Sequence, residues 1–306
     1  ALALALGGCV EGPGGDDDDA TGDDDDAADD PWFCAGPGSA QAAGQGAWQV
    51  DGPHYALYAE TSEAEALVMS AILEAGWDAL IDWFDASPEL VAGELLRVEF
   101  YGSETAWEEA IAGDGLEVPF GAGGLYHPTT GTAYLYQQPT RYYTRQLLIH
   151  EVVHQFHDRA RLQGHSGPSW YMEGHAEYLS LHDWDDACLR LGRLPLVSQE
   201  DMPAQALAQA SGLGLDGQLA GSDSMSRPQA WSMFRYFDRA DGGVWSEDWT
   251  AFRDAMDGGG TDAVAEFEAA FGTSPGSFDE DIVAWLAAEQ QPLTPSTLEW
   301  SHVGPS

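Results

Sequence analysis

Two histidines four residues apart, His150 and His154, enclose Glu151 in the stretch His150-Glu151-Val152-Val153-His154, and this spacing restricts the chain more than any other feature. Residues four apart stack on one face of an α-helix, so both imidazoles reach a common point only if the segment is helical. The surrounding run supports that. Arg141 to Gln163 contains neither Pro nor Gly, carries an apolar stripe of Leu147, Leu148, Val152, Val153 and Phe156, and stops at Gly164. A second helix is expected to begin near Pro168, a residue tolerated in a first helical turn, and to carry Glu173, Glu177 and Tyr178 to Leu181. The His-Glu-x-x-His pattern arises by chance in roughly one chain of this length in a hundred. Its mid-helix setting is what raises it above coincidence.

Two imidazoles on one helical face and a carboxylate from the next helix supply three ligands to a metal ion and leave one coordination position open. That count predicts one zinc per chain, held by His150, His154 and Glu173. Glu151 lies one residue round the helix from His150, where it faces the open position and can act as the catalytic general base toward a water there. A purely structural zinc would have no use for such a base and would usually take a fourth protein ligand.

These residues resemble the gluzincins, zinc peptidases whose third ligand is a glutamate on the helix after the histidine pair. Eighteen residues separate His154 from Glu173, the spacing of the aminopeptidase N family. The segment Trp170-Tyr171-Met172-Glu173-Gly174-His175-Ala176-Glu177-Tyr178 is similar to the Trp-Leu-x-Glu-Gly-x-Ala-Glu-Tyr signature of bacterial peptidase MA-like proteins, the closer of the two matches. Gly124 to His127, Thr132 to Tyr136 and Gln229-Ala230-Trp231-Ser232 extend the resemblance weakly, over about Tyr55 to Leu286. It implies an α+β fold of the thermolysin-like gluzincin type, with a small mixed sheet in a front lobe and a helical back lobe. Departures narrow it. No Gly-x-Met-Glu-Asn segment is present, which disfavours an exopeptidase. The metzincin pattern needs Gly at 157 and His at 160, where this chain has His157 and Ala160, so His165 is not expected as a ligand. Where peptidase MA-like proteins often carry a Tyr two residues before the Gln-Ala-x-Ser segment, this chain has Arg227.

Along the chain, strands are expected at Tyr55 to Ala59 and Leu95 to Tyr101, and a hairpin at Gly124 to Tyr136. Helices are expected at Glu63 to Phe84, Glu104 to Ala112, Ala204 to Ala210, Gln229 to Arg239, Trp249 to Met256, Asp262 to Phe271 and Phe278 to Glu289. The organisation read from this is a signal remnant at 1–9, a tether at 10–31, an α+β front lobe at 32–148, the zinc site and helical lobe at 149–290, and a tail at 291–306.

Composition bears on location and partners. The formal net charge is −41 and the basic side is arginine alone. Eleven of the 52 acidic groups fall within residues 1–30, so the remainder is acidic in its own right. Such a surface repels nucleic acid and anionic lipid headgroups. Ala1 to Cys9 looks like the end of a secretory hydrophobic segment closing on a bacterial lipobox, with Cys9 the lipidated residue and the charged start of the signal missing. Val10 leans toward outer-membrane sorting by analogy with known lipoproteins. The aspartate runs that follow have no apolar surface to bury and repel one another, so a tether is expected, with calcium binding the lesser alternative. The expected location is extracytoplasmic, lipid-anchored at the bacterial outer membrane or cell surface. Cys34 and Cys188 then remain as a pair that such a compartment allows to bridge, or as two free thiols.

Glu177, four residues after Glu173, can accept a hydrogen bond from a ligand imidazole, or can be a solvated helix charge. His175 is expected at the surface or the cleft wall, and His157 along the cleft. Arg227, Tyr236 and Tyr178 are all conceivable donors to a developing oxyanion. Two functions fit these features: a cell-surface zinc endopeptidase acting on peptide or protein substrates, and a non-catalytic zinc-containing binding or scaffold lipoprotein.

Overall fold

Every second side chain of Tyr55-Ala56-Leu57-Tyr58-Ala59 is buried, the pattern of a strand packed on one face, and this segment sits within the sheet that organises the molecule. The computed structural model describes residues 31–289 apart from 45, 120, 186–187, 195–204, 207–208 and 210–213. Cys9, the aspartate tract to residue 30, the tail at 291–306 and most of the expected helix at 204–210 lie outside the described residues. The strands are β1 (Phe33–Cys34), β2 (Ser39–Gly44), β3 (Ala47–Asp51), β4 (Tyr55–Ala59), β5 (Leu96–Tyr101), β6 (Gly124–His127), β7 (Thr132–Tyr136), β8 (His182–Trp184) and β9 (Cys188–Leu191). The first helices are α1 (Glu63–Phe84), α2 (Glu104–Gly113), α3 (Arg141–His157) and α4 (Ser169–Ser180). They continue as α5 (Leu215–Leu219), α6 (Arg227–Gly243), α7 (Ser246–Asp257), α8 (Ala263–Phe271) and α9 (Asp279–Glu289). The chain is α+β, with a mixed sheet.

Six strands pair in the order β2-β3-β4-β5-β7-β6. The pairs β4–β5 and β5–β7 are parallel, so each needs a crossover, which α1 and α2 provide. Strand β6 runs antiparallel to β7 and forms one edge. Alternation sends neighbouring residues to opposite faces. Leu57, Val98, Phe100 and Leu135 join the core with α1 and α3, while Tyr101 and Tyr134 pack with Trp107 and Ile111 of α2. Helix α1 starts where the Ser62 side chain accepts the Glu65 N–H at 3.2 Å, and ends at Asp85 in the left-handed region.

A second sheet, β1-β9-β8, is small and antiparallel. Cys34 lies opposite Cys188 in its register, and the two are joined by a disulfide. The remaining helices pack around aromatic side chains, among them Phe234, Phe237, Trp249, Phe252 and Phe267. Helix α4 comes close to α6 because Gly174 has no Cβ; one there would fall 2.2 Å from a Phe234 ring carbon. One continuous core runs from Val50 of the sheet through Leu148 and Phe156 of α3 to Leu286 of α9. Residue 148 itself lies inside α3, within this continuous core.

Candidate metal centre

Helix α3 positions the site. Its N-terminus is capped by Thr140, whose side chain accepts the Tyr143 N–H at 3.1 Å, and Leu148, Val152, Val153 and Phe156 bury its apolar stripe. The opposite face presents His150 and His154. After His157 the helix widens into a π-turn, Asp158–Leu162, and closes at Gln163 in the left-handed region. A loop returns the chain to α4, which begins after Pro168 and presents Glu173 toward both imidazoles.

Three potential ligand atoms converge. Nε2 of His150 and Nε2 of His154 are 3.2 Å apart, and Oε2 of Glu173 lies 3.4 Å from the first and 3.8 Å from the second. Donors bound tetrahedrally at the usual zinc distances of about 2.0–2.1 Å stand roughly 3.4 Å from one another. The separations bracket that value, and Glu173 Oε2 is buried without a well-formed hydrogen bond, so the donor set fits a zinc ion. Burial opposes the protonated form of His150, but Glu173, Glu177 and Glu151 outweigh it and raise its pKa. His154 is pushed down to about 3 by burial and by its neighbour His150. Burial alone would raise Glu173, yet His150, His154 and Arg227 bring it down to about 2.

Glu151 is buried beside the ligands, and burial pushes its carboxyl up to about 7, against the opposing effects of His150 and of the Tyr126 N–H that it accepts. Its space depends on Gly124 of β6. A Cβ at that position would lie 2.8 Å from both Cγ and Oε1 of Glu151. Arg227, at the start of α6, places Nη2 3.2 Å from Glu173 Oε2 and donates from Nη1 to Glu177 Oε1 at 3.0 Å, with 59% of its side chain exposed. Glu177 stands 3.8 Å from Nδ1 of His150, on the side of the ring away from the ligand cluster. A cleft of about 350 Å³ opens over the ligands, between β6 and the loop after the π-turn, with His165 on its rim. A second hollow of about 350 Å³ lies beyond Arg227 and Glu177, against Tyr143 and Leu147.

Other expected positions are corrected. Tyr178 is buried against Trp83 and donates to Asp238, with Arg239 donating to its oxygen, so its hydroxyl is committed away from the cleft. Tyr236 packs among Phe237, Phe278 and Trp285 on the far side of α6. Of the three oxyanion candidates, only Arg227 lines the cleft.

His157 and His175 are also not where the sequence placed them, because both are fully buried. Nε2 of His157 lies 2.7 Å from Oδ1 of Asp257, which also accepts from Tyr171 at 2.8 Å, and Arg161 Nε donates to Oδ2 at 3.1 Å. The Trp83 indole N–H donates to Nδ1 of His175 at 3.0 Å. An indole only donates, so the proton of His175 sits on Nε2, and burial holds its pKa well below the ordinary value. The imidazoles of His157 and His175 lie 4.5 Å apart, centroid to centroid. With Asp257, these histidines bring three potential ligand atoms within 4.8 Å of one another. They do not make a metal site. The one lone pair of His175 faces Trp83, and a ligand imidazole must offer its lone pair to the metal. Sequence carried a signal for this burial: His157 falls in the stripe of Val153, Phe156 and Ala160, and His175 in that of Tyr171, Gly174 and Tyr178.

No protein-family model matches this chain, and no curated protein matches it.

Proposed function

We propose that this chain is a zinc-dependent endopeptidase of the gluzincin type with a thermolysin-like domain, similar in kind to the peptidase MA-like proteins, and that it acts on peptide or protein substrates. The observation that carries this reading is the convergence of His150 Nε2, His154 Nε2 and Glu173 Oε2 at zinc-ligand separations with the buried carboxylate of Glu151 beside them.

His150, His154 and Glu173 would hold the ion, and Glu177, on the far side of the His150 ring, would help orient that imidazole. A bound zinc would supply Lewis-acid polarisation of the peptide carbonyl and would lower the pKa of the attacking water. Glu151 accepts the proton of the attacking water and returns it to the nitrogen of the breaking C–N bond. Arg227 is the cleft donor available to negative charge developing on the carbonyl oxygen. The Cys34–Cys188 bridge supports an oxidising, extracytoplasmic compartment, and with Cys9 as the lipidated residue the enzyme would be anchored at the outer membrane or cell surface.

Metal analysis of the purified chain, paired with cleavage of an unstructured protein with and without a chelator, tests the proposal. One zinc per chain and chelator-sensitive cleavage are expected. Glu173→Ala should lose most of the zinc. Glu151→Gln should keep zinc and fold while hydrolysis falls by about 10²–10⁴-fold or more. Zinc bound without any cleavage would favour the scaffold function, and full occupancy in Glu173→Ala, or zinc lost from His165→Ala instead, would overturn the ligand set.

A further inference from the structure

Resting on that reading, we infer that the cleft selects substrates carrying a lysine or arginine side chain next to the scissile bond, and that Asp158 is the residue that reads it. His150, His154 and Asp158 follow one another at intervals of four, so Asp158 continues the ligand face of α3 by one turn and lines the same cleft. Its position is fixed. Oδ2 accepts the Tyr126 hydroxyl at 2.6 Å, tying the first residue of the π-turn to edge strand β6.

The charge on this carboxylate is uncommitted. Among the described residues Asp158 makes no ion pair, although two arginines follow within three positions. Arg159 reaches away to Glu94 at 2.5 Å, and Arg161 to Asp254 and Asp257. Arg227 is held by Glu173 and Glu177. Of the carboxylates lining the cleft, Glu173 is assigned to the metal and Glu151 to the water, which leaves Asp158 as the one with no cationic or catalytic partner among the described residues. The wall beside it is apolar at Leu125, Leu162 and Met172, and can cover the methylene stem of a long basic side chain while its charged end meets the carboxylate. The charge of −41 adds a field that draws cationic segments toward the molecule.

A bond that only tied β6 to the helix would need the acceptor oxygen of residue 158 and not its charge, so Asp158→Asn separates the two roles. The probe is an eight-residue labelled peptide with one central lysine, compared with its norleucine twin. Both are titrated by fluorescence anisotropy onto the zinc-loaded full chain carrying Glu151→Gln, which prevents turnover. The lysine peptide should bind about tenfold more tightly. Adding Asp158→Asn should bring the ratio within twofold, while Tyr126→Phe, which keeps the charge, should retain most of it. If Asp158→Asn does not fold, Asp158→Ser, which also keeps an acceptor oxygen, serves in its place. Equal affinities in the parent, or a preference that survives Asp158→Asn, would overturn the inference. Because binding is read without hydrolysis, a lysine preference that Asp158→Asn abolishes, in a chain whose zinc-loaded form with Glu151 intact cleaves nothing, would refute the endopeptidase assignment and leave Asp158 as the reader of a bound basic side chain.

Discussion

Gly124 governs the candidate site from outside the His-Glu-x-x-His motif. Its missing side chain is the space that the Glu151 carboxylate occupies, and its strand also brings the Tyr126 N–H to that carboxylate. Gly124→Ala leaves the backbone unstrained, because Gly124 is not among the positive-φ residues, so the substitution acts through contact alone. It should move Glu151 off its position without touching the ligands. The expected result is a kcat lowered by about 10²-fold or more with zinc content unchanged, measured side by side on the same preparation. Loss of zinc together with activity would show that the added methyl disturbs α3 as a whole.

Between helices, the feature with the largest consequence is the buried group joining α1, α3, α4 and α7 through Trp83, His175, His157, Tyr171 and Asp257. Burial alone would push the Asp257 carboxyl up, but bonds from His157, Tyr171 and Arg161 outweigh it and hold the pKa below the usual carboxylate range. A carboxyl whose folded pKa lies below its unfolded one, about 3.9, gives stability that is complete above that value and is lost as pH falls through the folded value. Asp257→Asn should therefore cost about 3 kcal/mol at pH 7, and its melting temperature should fall less than that of the wild type between pH 5 and pH 2. Parallel declines would show that the Asp257 charge contributes nothing. The elements themselves were largely legible. Strand 55–59 and helix 63–84 coincide with their sequence ranges, because strict alternation and a Ser-capped apolar run define both ends. Strands β2 and β3 were not legible: Ser39 to Gly44 is small, polar and mostly exposed, and it is paired by its neighbours and not by a pattern of its own. The convergence of His150, His154 and Glu173 could be read from spacing. The partners of Tyr178, Tyr236, His157 and His175 could not, because helical periodicity fixes angles around one axis and says nothing about which helix lies opposite.

On the scale of the whole molecule, the chain carries 52 acidic groups against eleven arginines, and such self-repulsion works against the compact state. Covalent closure acts in the opposite direction. The Cys34–Cys188 bridge spans 154 positions and joins β1 to β9, so it restrains most of the chain between the start of the described residues and the strands after α4. In the chain-entropy account a loop of that length removes conformations worth about 5 kcal/mol from the unfolded ensemble, an upper figure where that ensemble keeps residual structure. Because the effect lies in the unfolded chain, losing the bridge should leave the native site unaltered. A Cys34→Ser/Cys188→Ser variant should unfold in urea with a stability lower by about 3–5 kcal/mol, while zinc content at 25 °C stays at one per chain. Added salt should raise the stability of both proteins, and so offset part of the variant's loss, since screening weakens the repulsion that the bridge helps to resist. An unchanged urea midpoint would mean that the small sheet holds without its bridge; lost zinc would mean that the pairing of β1 with β9 reaches the metal centre through α1, the helix packed against both.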